Sequence, residues 1–357
     1  MNRLRKLVRG TLAGAVSPGI DEVTLTARFG HDADDPRVRA LSAVPQAVVI
    51  GLEHALCDSD PDGVHARLAL VAEEHRGFAY EGATMAATIL DAVSPPSRRA
   101  PRTAELIMSG AGLPHQFLNY IGIGFAMARL PRRLWSQVLP ADLPSHPTMA
   151  WLAADGYGFD LAYFQPERYL YRRQRPAPYS WHTGQQWYFE KAVDQGVGRA
   201  LWFAYAGRVA EVARAIEQFA PERHEDLWSG VGLAATFAGQ ADDVAALMPA
   251  AGIFAPDLGV GALLAVKARH TAGLLPIHTI ETLAAITGLS VLDAVDLVDA
   301  AEVSGPDDRP VPHYATWRSR LRARLVPDLL DGSGADGRHS QPRNGEVAVA
   351  LADQDDR

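Results

Sequence analysis

Cysteine is almost missing from this chain of 357 residues: Cys57 stands alone. That excludes an internal disulfide framework and any cysteine-rich zinc site. Lysine is nearly as rare, so arginine supplies most of the positive charge. The net charge of −8 argues against general nucleic-acid binding. The sequence has no phosphate-binding P-loop, no Gly-x-Ser-x-Gly elbow and no His-Glu-x-x-His pair. No apolar run reaches the length of a membrane span, so no transmembrane segment is predicted. The basic start, Met1 to Ile20, is broken by Arg9, Gly10 and Gly14 and makes a poor secretory signal. The expected compartment is the cytoplasm. With 48% hydrophobic and 21% charged residues, the composition is that of a soluble globular protein with a large core.

Glycine and aromatic residues, by contrast, are arranged in phrases. Phe78-Ala79-Tyr80-Glu81-Gly82 is echoed by Phe203-Ala204-Tyr205-Ala206-Gly207. Each is followed by two Gly-x-Gly pairs: Gly122/Gly124 and Gly156/Gly158, then Gly230/Gly232 and Gly259/Gly261. Long-period repetition of this kind points to an internal duplication. Between the glycines the apolar residues recur at helical spacing, punctuated by proline. The expected fold is all-α, two pseudo-symmetric halves of stacked helical hairpins. The expected divisions are an N-terminal arm (1–34), a first half (35–164), a crossover (165–183), a second half (184–326) and a disordered tail (327–357). Residues 22–29 alternate apolar and polar side chains, which predicts a short extended arm. Asp35-Pro36 and Ser290 with Asp293 read as helix starts.

Several motifs have plain structural explanations. Gly230-x-Gly232-x-x-Ala235 has the glycine spacing of a dinucleotide fingerprint, but no strand precedes it. Asp32-x-Asp34-Asp35 sits in a Pro-flanked turn and reads as a helix cap. Histidines and carboxylates do not fall at ligand spacing, so neither a metal nor a cofactor is predicted.

The informative residues are polar ones set inside apolar phrases: Glu81, His115, Asp155, Arg199 and Asp226. A buried charge is costly unless it is paired. These groups therefore pair, for example Glu81 with Arg199, or cap helices, as Asp155 and Asp226 are placed to do, or face a cavity. Glu81 draws most attention because its echo is Ala206. In a cavity between the halves, Glu81 or Asp155 would serve as general base. Tyr157 or His115 would donate a proton or steady an enolate oxygen, and Arg199 would balance charge. Tyr80, Tyr120, Trp202 and Trp228 would supply the aromatic wall.

The same phrases resemble a known family. Residues 76–86, 120–126, 151–159, 195–203 and 226–234 look like the actinobacterial proteins of unknown function encoded in enediyne polyketide gene clusters. That family often has His after Asp155-Gly156-Tyr157-Gly158-Phe159, where this chain has Asp160. The resemblance implies a part in enediyne or related polyketide biosynthesis and an apolar, unsaturated small-molecule partner. Two roles follow. One is a cofactor-independent tailoring enzyme performing cyclisation, conjugate addition or isomerisation. The other is a binding protein that sequesters an intermediate or docks other biosynthetic enzymes.

Overall fold

The computed structural model describes residues 17–58, 60–94, 102–140, 148–181, 185–304 and 310–331. The α-helices in chain order are α1 Leu25–Phe29, α2 Pro36–Cys57, α3 Pro61–Leu68, α4 Glu73–Val93, α5 Thr103–Met108, α6 Gln116–Arg129, α7 Ala150–Phe164 and α8 Gln186–Ala204. They continue as α9 Val209–Glu217, α10 His224–Ala238, α11 Leu247–Ala251, α12 Ala255–Thr271, α13 Ile277–Thr287, α14 Val291–Ala301 and α15 His313–Asp331. No strand occurs among the described residues, and the fold is all-α.

The architecture rests on glycines. In a helix, residues two apart point roughly 200° from each other around the axis, so a Gly-x-Gly pair opens two opposite faces. In the pairs on α6, α7, α8 and α10 the first glycine faces the preceding helix of the row and the second the following one; on α12 the second glycine, Gly261, faces α10, and Gly259 meets the Leu325 side chain of α15. A Cβ added at Gly156 would overlap the carbonyl oxygen of Ile121 on α6; at Gly158, that of Val193 on α8. Gly196 and Gly198 on α8 stand against Asp155 of α7 and Leu227 of α10. Gly230 and Gly232 on α10 stand against Gln195 of α8 and Leu258 of α12. Gly122 and Gly124 on α6 face Glu81 of α4 and Ala153 of α7, and Gly51 and Gly82 join α2 to α4. The result is a row, α2–α4–α6–α7–α8–α10–α12, in which neighbouring backbones touch.

The row curls. Phe78 of α4 meets Phe237 of α10 edge to face, with centroids 5.3 Å apart. Arg269 of α12 donates to the carbonyl of Glu74 on α4 at 3.2 Å. Helix α15 lies against α12, and its Arg318 donates to Asp226 of α10 at 2.9 Å.

The two echoing phrases occupy different structures. Phe78 to Gly82 lies inside α4, whereas Phe203 to Gly207 runs over the end of α8 into a turn, where Ala206 has φ 49° and Gly207 φ 70°. Glu81 and Ala206 are therefore not equivalent positions. The repeated unit that the structure displays is a single glycine-faced helix, and Gly196/Gly198 belongs to that series.

The extended arm is also corrected. Leu25–Phe29 is helical, because the Thr24 side chain accepts from the amide of Ala27 and Gly30 closes the helix at φ 74°. Val23 and Leu25 are both buried. The helix starts at Asp35 and Ser290 are capped as the sequence indicates. Helix α15 continues to Asp331, past the expected start of the tail at 327. The rest of that tail, residues 95–101 and residues 1–16 lie outside the described residues. Two stretches, Pro36–Cys57 and Val244–Thr271, are long and apolar enough to cross a membrane. Here their apolar windows are 56% and 72% buried, and α2 and α12 pack within the row.

An added methyl group at the α7–α8 seam should be costly, since overpacking that forces side chains off their rotamers and shifts the backbone typically costs about 1–3 kcal/mol. Gly196→Ala is expected to lose at least about 3 kcal/mol in urea unfolding, with backbone in place of movable atoms. Gly19→Ala, whose Cβ would meet only the Glu22 side chain at 3.4 Å, should change stability by less than about 0.5 kcal/mol.

Candidate functional site

Inside the curl, two narrow apolar pockets of about 60 and 40 Å³ lie on either side of one group of residues. Glu81 of α4, Arg199 of α8 and Phe203 of α8 line both. The first pocket is walled by α2, α4, α6 and α7, with Met85, Phe125, Phe159 and Tyr163 among its apolar residues. The second is walled by α6, α10, α12 and α15, with Leu118, Leu233, Phe237 and Tyr314.

The charges divide sharply by partner. Arg199 Nε donates to Asp155 Oδ1 at 2.8 Å, and its guanidinium lies 4.9 Å from the centre of the Phe159 ring. Asp160 is paired with Arg129 at 2.5 Å, Asp194 with Arg223 at 2.6 Å and Asp257 with Arg322 at 2.9 Å. Asp226 accepts from Arg318 and Gln195, both at 2.9 Å. Asp91 accepts from the amides of Thr103 and Ala104. Glu81 is the exception. It is 3% exposed, and its carboxyl has no hydrogen-bond or salt-bridge partner among the described residues.

Burial pushes the Glu81 carboxyl up to about 8; the Arg199 charge opposes the rise and the Asp155 charge adds to it. Near neutral pH the side chain is thus mostly a neutral acid, able to donate a proton. Burial also raises Asp155, with Arg199 pulling it back. Asp155 is committed to its arginine and supports the site from behind. The expected pairing of Glu81 with Arg199 is replaced by electrostatic contact alone. Neither Asp155 nor Asp226 is a helix cap: Asp155 lies in mid-helix and Asp226 in the first turn of α10, each engaged with arginine.

The other predicted residues lie elsewhere. Tyr157 packs edge to face on Trp135 at 4.9 Å. Trp202 is buried, its indole donating to the carbonyl of Gly239 at 2.9 Å. Trp228 and Tyr120 are core residues, and the Tyr120 hydroxyl has no hydrogen-bond partner. None of these four lines the two apolar pockets. His115 and Tyr80 stack at 4.7 Å and line a third, polar cavity. Sequence reasoning missed Phe159, Phe203, Tyr314 and Arg318. For Tyr314 and Arg318 the one signal is their spacing of four residues, which puts both on one face of a helix.

A folded-state pKa raised above that of the unfolded chain, near 4.5, makes Glu81 favour the native state least at high pH. The folded protein holds a proton that the unfolded chain has lost, so this contribution falls between pH 4.5 and about 8 and then levels off. Glu81→Gln should therefore unfold at a higher temperature than the parent at pH 9, by a few kcal/mol of stability. The gap should narrow toward pH 5; parallel melting profiles would contradict a neutral, buried Glu81.

A family model described as a protein of unknown function, DUF1702, matches residues 7–325, and the chain belongs to that family. No curated protein and no solved structure matches it.

Proposed function

For this DUF1702 protein we propose a cofactor-independent enzyme that moves protons on an unsaturated, apolar substrate, with Glu81 as the donor. The reading rests on one observation: an unpaired carboxyl, neutral near pH 7, stands where two apolar pockets meet. A structural acid would be expected to find a partner, as the buried aspartates do. A neutral acid in an apolar wall is the form that can protonate a carbon.

The simplest balanced reaction is isomerisation. The Glu81 carboxyl gives its proton to one carbon of a conjugated system. The resulting carboxylate removes a proton from a carbon further along, the double bond shifts, and the acid is restored. Arg199, whose charge reaches Glu81, stabilises the transient carboxylate. If a second double bond captures the cation before proton loss, the same groups perform cyclisation. Neither course needs an oxidant or a reductant. The proposed setting is enediyne or related polyketide biosynthesis in an actinobacterial cytoplasm; its support is the resemblance of the glycine phrases. The general-base role expected for Glu81 becomes a general-acid role, because burial keeps the proton on.

Deletion of the gene should accumulate the substrate. Restoring it as Glu81→Gln should leave product formation lower by about a hundredfold or more, while the purified variant melts no lower than the parent. With accumulated substrate in vitro, the parent's rate should fall above about pH 8 as Glu81 ionises. Normal product from Glu81→Gln, with the intermediate bound tightly but unchanged in mass and structure, would instead establish a sequestering protein.

A further inference from the structure

The largest of the three cavities, about 260 Å³, takes no part in the proton transfer above. It is lined by Arg76 of α4, Arg269 of α12, His115 and Tyr80. Arg269 is 5% exposed, yet it has no carboxylate within salt-bridge distance among the described residues. Its guanidinium donates only to carbonyl oxygens, of Glu74 at 3.2 Å and Phe237 at 2.6 Å, and Nε has no hydrogen-bond partner. Arg76 likewise reaches only carbonyls, of Ala69 and Val71, and its Nε is unpartnered. Arg199 and Arg223, the other buried arginines among the described residues, each hold an aspartate.

Among the acids near this cavity, Glu74 acts on Arg269 through its charge but forms no salt bridge with it. Glu73 lines its rim but is exposed, and the exposed Glu74 carboxylate lies 3.7 Å from His75. Burial and the two arginine charges push His115 down to about 4, so near pH 7 it is a neutral imidazole. The cavity thus joins two cations that have no salt-bridged carboxylate among the described residues to a neutral ring that can donate a hydrogen bond. Leu118 and Phe237 line this cavity and also the second apolar pocket. These two side chains are the partition between the charged chamber and the wall that carries Glu81.

We propose that the Arg76–Arg269 cavity holds the carboxylate end of an elongated apolar acid whose chain passes Leu118 and Phe237 toward Glu81. This rests on the reading of Glu81 as the reactive group for the chain, while the charged chamber can be tested alone. A carboxylate supplies the salt-bridge partner that both arginines lack among the described residues. Hydrogen bonds involving ionised groups are about twice as strong as neutral ones, so recognition should favour the acid over its alcohol.

The test is fluorescence titration of the full-length protein with a long-chain conjugated polyene acid, its alcohol and its methyl ester. The acid should bind at least about tenfold more tightly than either neutral form. Arg76→Gln and Arg269→Gln should each remove most of that preference, and Arg76→Lys should keep part of it. Arg76 is half-buried, so its variants remain informative if Arg269→Gln fails to fold. Leu118→Trp should weaken the long acid and spare acetate. Equal affinity for acid and alcohol would overturn the proposal. Displacement of the long acid by inorganic phosphate, with Leu118→Trp without effect, would also overturn it and leave a free-anion site. Glu81→Gln should bind the acid like the parent, so loss of acid recognition and loss of chemistry are read separately.

Discussion

Backbone-to-backbone contact through glycine is the constraint on which the interior depends. At each seam of the helical row, one helix presents a carbonyl oxygen where its neighbour has no side chain. Such seams leave no volume for apolar side chains between the axes. The large residues are displaced to the flanks, where they form the walls of the curl. Glu81 illustrates the coupling: its own carbonyl is the group that Gly122 admits, and the next residue, Gly82, admits Val48. The main chain that carries this carboxyl is therefore pinned from two sides. A carboxyl held this way has its position set by packing, which is the support that the proposed proton transfer needs.

The buried aspartates of the described residues are all paired, and that gives the unpaired Glu81 its meaning. Six buried aspartates hold an arginine or backbone amides. Burying a charge without such compensation costs several kcal/mol. Glu81 escapes by keeping its proton, which a carboxyl can do and a guanidinium cannot. Arg269 remains charged, stacks its guanidinium 3.9 Å from the centre of the Phe237 ring and borrows two carbonyls. One buried acid thus lacks a base and one buried arginine lacks an acid, and they stand in adjoining chambers instead of against each other. Both proposals rest on their separation.

The sequence made the helical class plain, because proline punctuation and helical periodicity are local signals. The glycine phrases were visible too, but their geometry was not. Reading Phe78–Gly82 and Phe203–Gly207 as copies required them to be alike in three dimensions. The first is mid-helix and the second a helix end, a difference set by the turn at Ala206 and Gly207. Glu81 was singled out by comparison with Ala206, and it keeps its place on other grounds, burial without a partner. Asp155 and Arg199 were legible as interior charges, yet nothing local said that they would bond to each other. The aromatic wall was misjudged because Trp202 and Trp228 read as large surfaces for a ligand, whereas both are buried in the core. Phe159 and Phe203 carry no polar mark and look like any core residue. Only the curling of the row shows which aromatic side chains face space.

The partition formed by Leu118 and Phe237 has a consequence for selectivity along a chain. An anchored head and a fixed proton donor together define a length. A flexible guest seated in this way would present to Glu81 the carbon lying at that length from its acid end. The seams, being backbone, do not stretch to accommodate a longer or shorter offset. The fold would then act as a ruler, choosing among chemically similar double bonds by counting from one terminus. Its calibration would lie in the placement of α12, which carries Arg269, relative to α4, which carries Glu81.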